Sequence, residues 1–413
     1  MKKLFNFFKN NFLLIYLLLN MLILFGCSFI TTYVFYFGDL DKYVMIVLSI
    51  LNIFISFGLI FKHRKKLSII DLLLLLLINC FLISTIYAIN HEVAIFGFNG
   101  RYEGLFAFVY YLTLFYIATY LKQNQKKAII ITLIIFGLVE ALYGYFQLLG
   151  LYRIVVMPFK TSFKITGTIG NPNFYASFIL LSLTSTIGLF VDEKDKYKSV
   201  LLFIIMIILL SVLLFSNTNS CLVGLIVTLL FLFIYCIKKK KIFKFILIVL
   251  TFVSLLFIYA SFNKTKLVKE IIKTSNEIQE IQKGNYDESY GTYRLEVWKK
   301  TIEKAPDYWA HGAGLDNYYY AFGKYPLKVG KYVFDKAHNE YLQILITQGV
   351  FSLICFILIY LIMTIKGLKE SFNNSGLYCF LPVVGYLVQA FFNISVVMVA
   401  PYFFIILGMN NNR

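Results

Sequence analysis

AIIITLIIFGLVEALYGYFQLLG, residues 128–150, is apolar on every side of a helix and shows no alternation of apolar and polar positions. A helix needs about 20 such residues to cross roughly 30 Å of hydrocarbon, where every backbone polar group must be paired within the chain. A β-barrel would need a period of two, which this stretch lacks. LLLLLLINCFLISTIYAI (residues 72–89) and FILIVLTFVSLLFIYA (residues 245–260) follow the same pattern. Of the 413 residues, 60% are hydrophobic and 15% charged, against about 45–50% and about 25% in soluble domains. No water-soluble core can absorb that excess.

The sequence therefore predicts an all-α integral membrane protein of about twelve transmembrane helices. They fall near residues 12–36, 43–61, 68–88, 104–121, 128–149, 173–191, 199–215, 219–237, 245–262, 343–365, 376–392 and 395–409. The first nine occupy residues 1–262 and the last three residues 343–413, with a loop domain over residues 263–342. Within that loop, Lys264–Gly284, Tyr293–Lys304 and Lys336–Gln343 are helix-like, with turns at Gly312–Gly314 and Gly323–Pro326.

The net charge of +18 could suggest a nucleic-acid partner, but the placement of the basic residues argues against one. Lys2, Lys3 and Lys9 flank the first span, which is too long for a signal sequence and is expected to be retained. Lys62, Arg64, Lys65 and Lys66, then Lys122, Lys126 and Lys127, then Lys194, Lys196 and Lys198 fill alternate connections. Lys238–Lys241 with Lys244, and Lys366 with Lys369, continue the series; Arg153, Lys160 and Lys164 are a partial exception. The positive-inside rule makes the basic connections cytoplasmic, so a multi-pass cell-membrane protein is expected with both termini inside and the large loop outside. The six cysteines, Cys27, Cys80, Cys221, Cys236, Cys355 and Cys379, fall in or beside apolar runs. They read as packing residues, with neither a disulfide framework nor metal-ligand spacing.

In so apolar a chain the informative residues are polar ones gathered on one side. Arg101 is the lone Arg or Lys of the second outer loop, in Gly100-Arg101-Tyr102-Glu103-Gly104. It is either paired with Glu103 or lipid phosphate, or a fixed anion site. Residues 163–173, FKITGTIGNPN, form a turn before a span, with Asn173 suited to cap the helix. A capped helix start beside Lys164 could also receive phosphate. Arg294 and Trp298 share one helical face, as in a helix lying on the bilayer. His311-Gly312-Ala313-Gly314 before Asn317-Tyr318 reads as a helix-ending turn. His338-Asn339-Glu340-Tyr341-Leu342-Gln343 leads into the tenth span, where a histidine is either a helix-start residue or a proton exchanger. Glu140 and Gln147, seven apart, face one side of their span, for helix–helix hydrogen bonding or contact with a polar substrate. Asp39-Leu40-Asp41 reads as a solvated loop despite its D-x-D form.

Taken in order, these clusters resemble the family of O-antigen ligases and Wzy-like O-antigen polymerases, with related bacterial O-oligosaccharyltransferases. The likeness is carried by Gly167-Thr168-Ile169-Gly170-Asn171-Pro172-Asn173, by Arg294 with Trp298, by His311-Gly312-Ala313-Gly314-Leu315, and by His338–Gln343 with Gly349. It extends from about residue 70 to the C-terminus.

The resemblance implies a GT-C-like glycosyltransferase of surface polysaccharide biosynthesis, working by inversion without metal or other cofactor. Its donor would be a glycan on a polyprenyl diphosphate such as undecaprenyl diphosphate, and its acceptor a hydroxyl of a glycan, lipid or protein on the outer face. The likeness implies His338 and Arg294 as catalytic residues, with Arg101, Lys164, Asn171 and Asn173 around the diphosphate. Glu140, Gln147, Trp298, His311 and Asn339 would contact substrate or pack. Two positions depart from the family. Asn219, in Ser216-Asn217-Thr218-Asn219-Ser220, stands where an arginine is common, and Lys164 replaces an arginine, keeping charge but losing the bidentate fork.

The main rival is a transporter or flippase of lipid-linked sugars, with the same cationic groove and no chemistry. A scaffold without turnover is a third reading. Kinship to cell-shape peptidoglycan glycosyltransferases is a fourth, and would require a catalytic carboxylate from Glu103 or Asp316.

Overall fold

A computed structural model describes residues 2–33, 40–63, 67–151, 165–374 and 376–411. Fourteen α-helices run through these residues. They are α1 (Lys2–Tyr33), α2 (Leu40–His63), α3 (Ile69–Ile86), α4 (His91–Phe96), α5 (Leu105–Ala118), α6 (Gln123–Leu148) and α7 (Pro172–Asp192), followed by α8 (Lys196–Phe215), α9 (Asn219–Lys238), α10 (Ile242–Gln282), α11 (Arg294–Lys304), α12 (Glu340–Asn374), α13 (Leu377–Gln389) and α14 (Ala400–Met409). A small antiparallel hairpin, β1 (Leu327–Val329) and β2 (Tyr332–Phe334), pairs Leu327 with Phe334. Of the Asp39–Asp41 motif, Asp39 lies outside the described residues.

Among the described residues, nine helices are long and apolar enough to cross a membrane: α1, α2, α3, α6, α7, α8, α9, the Ile242–Lys264 part of α10, and α12. Three further helices match expected spans but are shorter. Helices α5, α13 and α14 have 14, 13 and 10 residues and are almost wholly buried. The apolar pattern near 376–409 continues where the helix does not, since α13 stops at Gln389 and α14 restarts at Ala400. Broken helix is tolerated at membrane depth where other helices cover it.

Composition sorts the helices by depth. Helix α7 is rich in small and hydroxyl residues, and 94% of its span is buried, whereas the uniformly apolar span of α10 is only 11% buried. Most hydroxyls of α7 are satisfied along the helix, as where Thr184 donates to the Leu180 carbonyl at 2.6 Å and Thr186 to that of Ser182 at 2.8 Å, with Ser185 the exception. Small residues at helix contacts allow the close approach that lipid-embedded helices depend on. Helix α7 accordingly packs on α6, α8, α9 and α13.

Basic residues fasten one end of the bundle. Lys241 pairs with Asp192 at 2.6 Å, and Lys244 donates to the carbonyls of Phe190 (2.7 Å) and Glu193 (2.6 Å) at the end of α7. Lys366 donates to Asn411 Oδ1 at 2.8 Å beyond α14. Cations are favoured at these carbonyl-rich helix ends.

At the other end the segments between helices interlock. Residues 311–314 press onto α12: Ala313 N donates to the Ile346 carbonyl (2.9 Å), Gly314 N to that of Thr347 (3.1 Å), and Val350 N to that of Trp309 (2.7 Å). Helix α12 breaks at Gly349 (φ 84°), freeing those carbonyls. A Cβ there would lie 2.6 Å from the Ala310 carbonyl oxygen, so the contact requires glycine. The stretch Lys336–Gln343, expected to be helical throughout, becomes helix only at Glu340. The residues ahead of it are held by tertiary contacts described next, and His338 takes a left-handed backbone (φ 51°).

Candidate functional site

The interlocked end is built around one buried lysine. Lys336 Nζ lies 3.0 Å from Glu103 Oε2 and 2.5 Å from Asp316 Oδ1, with all three side chains buried. Burial alone would lower the Lys336 ammonium, but Asp316 and then Glu103 outweigh it and hold its pKa above the ordinary lysine value. Asp316 Oδ2 accepts from Phe98 N at 2.7 Å and Glu103 N at 3.2 Å, while Tyr111 donates to Glu103 Oε1 at 3.2 Å. The two carboxylates suggested as catalytic groups by the peptidoglycan-enzyme reading are thus engaged with Lys336. Beneath them a small cavity, also lined by Glu340, Gln343 and Gln348, has room for about one water molecule.

Three segments meet at this lysine: the 97–104 loop, the 314–317 turn and the 335–339 strip. The last two residues of interest follow from that junction. Arg101 Nε donates to Asp335 Oδ2 at 2.8 Å, so its partner is Asp335 and not the neighbouring Glu103. Burial would raise the Asp335 carboxyl, but Arg101 holds it below the usual carboxylate range. The Arg101 guanidinium also lies 5.7 Å from the ring centre of Phe174, near the start of α7.

His338 is mostly buried, its ring edge-on to Phe334 at 5.7 Å. Burial lowers its pKa to about 4, reinforced by Arg294, Arg101 and Lys336 and offset in part by Asp335. The ring is therefore a neutral imidazole near pH 7, able to take a proton. Arg294 begins α11, and burial pushes its guanidinium below the usual value. Among the described residues no carboxylate pairs with it. A buried guanidinium is ordinarily paired, which sets Arg294 apart from Arg101 and Lys336.

Asn339 caps α12, its Oδ1 accepting from Tyr341 N (3.0 Å) and Leu342 N (3.1 Å). Asn171, and not Asn173, caps α7: Asn171 Oδ1 accepts from Asn173 N at 2.9 Å, with Pro172 in the first turn. Pro172 has no N–H to satisfy and suits that position, which places the cap one residue before it. Lys164 lies outside the described residues.

Glu140 and Gln147 do share a face, and both hold the 166–168 turn. Glu140 accepts from Thr168 N at 2.9 Å and from the Thr168 hydroxyl. Gln147 Oε1 accepts from Thr166 N (2.8 Å) and Gly167 N (3.0 Å), and its Nε2 donates to the Gly167 carbonyl at 3.2 Å. These are packing contacts. Glu140→Ala is expected to lower stability by about 1–3 kcal/mol through the stranded Thr168 donors, read as a drop in melting temperature of the detergent-solubilised protein.

Trp298 packs inward with Val297 and Tyr318, its ring 6.1 Å from Phe392, so α11 does not present it to lipid. His311 stacks on Tyr87 at 4.9 Å. Its Nδ1 lies 2.7 Å from its neighbour's carbonyl. Asn219 is exposed at the head of α9, which Thr218 ties to the Pro172 carbonyl at 3.3 Å. That departure from the family therefore sits beside the Asn171–Asn173 turn.

Sequence reasoning passed over Lys336 and Asp335, although both stand within three residues of His338. It also passed over Asn393, which donates to Ser177 (3.0 Å), Gln389 (3.1 Å) and the Asn173 carbonyl (3.3 Å). The signal for Asn393 was a polar residue between two apolar runs. Among the described residues no group of three His, Cys, Asp or Glu side chains is placed to hold a metal ion.

This geometry frames the comparison with known families. Residues 204–357 match the O-antigen ligase family, Wzy_C. The match supports the O-antigen ligase and Wzy-like family for this chain, and with it a multi-pass membrane enzyme of ligase or polymerase type. It spans Arg294, Trp298, His311, Asp316, Lys336, His338 and Asn339, and leaves out the 97–104 loop and the turn before α7. No curated protein matches the chain.

Proposed function

We propose that the protein transfers a glycan from a polyprenyl diphosphate carrier to an acceptor hydroxyl at the outer face, in the manner of O-antigen ligases and polymerases. The observation that carries this reading is Arg294: a mostly buried guanidinium with no carboxylate partner among the described residues, near enough to His338 for its charge to help keep that ring neutral. The basic end of the bundle faces the cytoplasm in this reading, and the Lys336 junction faces out.

The acceptor oxygen attacks the anomeric carbon as His338 takes its proton. A C–O bond forms, the bond from that carbon to the diphosphate oxygen breaks, and the carrier leaves as its diphosphate with inversion. Charge grows on the departing oxygens, where a fixed guanidinium is worth most. Arg294 is the principal candidate, with Arg101 held at the rim by Asp335 and the α7 cap beside it. Lys164 completes the proposed set. Ligase and polymerase share this chemistry and differ only in acceptor.

The test is the purified protein with a polyprenyl-diphosphate glycan and acceptor in detergent. Release of carrier diphosphate together with a longer glycan or glycosylated acceptor is the expected result. Movement of the lipid across a vesicle bilayer without release would establish the flippase instead.

The pH profile gives a further check. The neutral form of His338 is the active one, so kcat/KM is expected to hold as pH falls below 6 and to be lost only near the histidine's value of about 4. Removing the Arg294 charge stabilises the imidazolium, so R294A is expected to move that acid limb to higher pH in whatever activity remains.

A further inference from the structure

Helix α10 does not end where its span does. It bends at Asn263 (φ −122°, ψ 21°), beside the end of the Ile242–Lys264 span, and continues to Gln282. Before the bend the sequence is uniformly apolar, and after it two-faced. Val268, Ile272, Ile278 and Ile281 are 46%, 53%, 52% and 43% exposed. At the helical period Val268, Ile272 and Ile278 fall on one side, with Lys269, Lys273, Glu277 and Glu280 on the other and Ile281 at the border.

Among the described residues the polar side meets only the chain that turns back from the helix end. Beyond Gly284 the chain doubles back, so that Asn285 N donates to the Glu280 carbonyl at 2.9 Å and Asn285 Nδ2 to its carboxylate at 2.7 Å. Gly291 N donates to Glu277 Oε2 at 3.2 Å. The apolar side makes no such contact among the described residues, and a bare apolar helix face of this kind is unusual on a water-soluble surface. The helix continues directly from the span that is the least covered of the nine among the described residues, so its bare face begins at the edge of the apolar segment. Exposed Lys264 and Lys269 have stems long enough to reach headgroups from such a position.

We propose that residues 264–282 lie along the membrane surface as an interfacial helix, with Val268, Ile272, Ile278 and Ile281 in the acyl–headgroup boundary. The occupant of the bare face is lipid. The helix then fixes the height of the returning chain, and of Arg294 at its end, relative to the phosphate layer. This inference stands apart from glycan transfer and holds or fails without it.

The full chain is placed in nanodiscs of phosphatidylethanolamine and phosphatidylglycerol at about 3:1, and nitroxide is attached in Ile272→Cys or, on the polar side, Lys273→Cys, the unmodified chain controlling for the native cysteines. Interfacial amphipathic helices bury their apolar face about 5–10 Å into the boundary. The label at 272 is therefore expected to collide severalfold more with oxygen than with an aqueous nickel chelate, and the label at 273 to show the reverse. Ile278→Cys repeats the measurement if the first variant folds poorly. A chelate preference at 272 and 278 would overturn the proposal. So would shielding from both reagents, the signature of a protein partner such as a second copy.

Discussion

His338→Ala is expected to slow transfer by about 10²- to 10⁴-fold, the usual worth of a positioned general base, with the protein still inserted and folded. The ring is neutral because it is buried among cations, Arg294 foremost, and in the proposed mechanism it takes the acceptor's proton. Arg294→Ala is expected to act through the other half of the step. It removes charge that the leaving diphosphate meets most strongly in the transition state, which costs kcat more than KM. Arg294→Lys is expected to recover only part of the loss, since an ammonium lacks the planar fork. Single-turnover transfer with a fixed lipid-linked donor measures all three, alongside gel filtration and melting of each variant. Undiminished turnover by a well-folded His338→Ala protein would remove the base from the mechanism.

The second large effect concerns stability. Lys336→Met leaves Glu103 and Asp316 buried without their cation, and breaking a buried pair from one side costs about 3–5 kcal/mol. The expected result is a marked fall in melting temperature or yield. Replacing all three groups together, as E103Q/D316N/K336M, removes the uncompensated charge and is expected to restore most of that stability. Activity need not return with it, because Lys336 joins the 97–104 loop, the 314–317 turn and the strip carrying Asp335 and His338. If Lys336→Met alone melts like the native protein, the ion cluster does not hold these segments together.

How much of this was legible beforehand differs by kind of interaction. The shared face of Glu140 and Gln147 followed from their spacing, because seven residues make two helical turns, but the object they hold did not. Both bind backbone groups of residues 166–168, contributed by a turn some twenty positions away. The cap of α7 was misplaced by two residues, since Asn171 and Asn173 are equally good caps by type and Pro172 decides between them. Glu103, its near neighbour, was one of the partners the sequence left open for Arg101, whereas folding gives Glu103 to Lys336 and Arg101 to Asp335, both more than 200 positions on. Spacing along a chain cannot rank partners that arrive from another segment.

The sequence by itself determined that lipid is the solvent for most of this protein, because apolar runs of span length leave the backbone no option but helix. It also located the polar segments that gather at one end. Only the tertiary structure decided which charges cancel there. Lys336 is neutralised by two carboxylates, Arg101 by one, and Arg294 by none among the described residues. The reason is physical: burial makes pairing compulsory for a charge, but the partner is chosen by distance in space, and that distance exists only once the helices have packed.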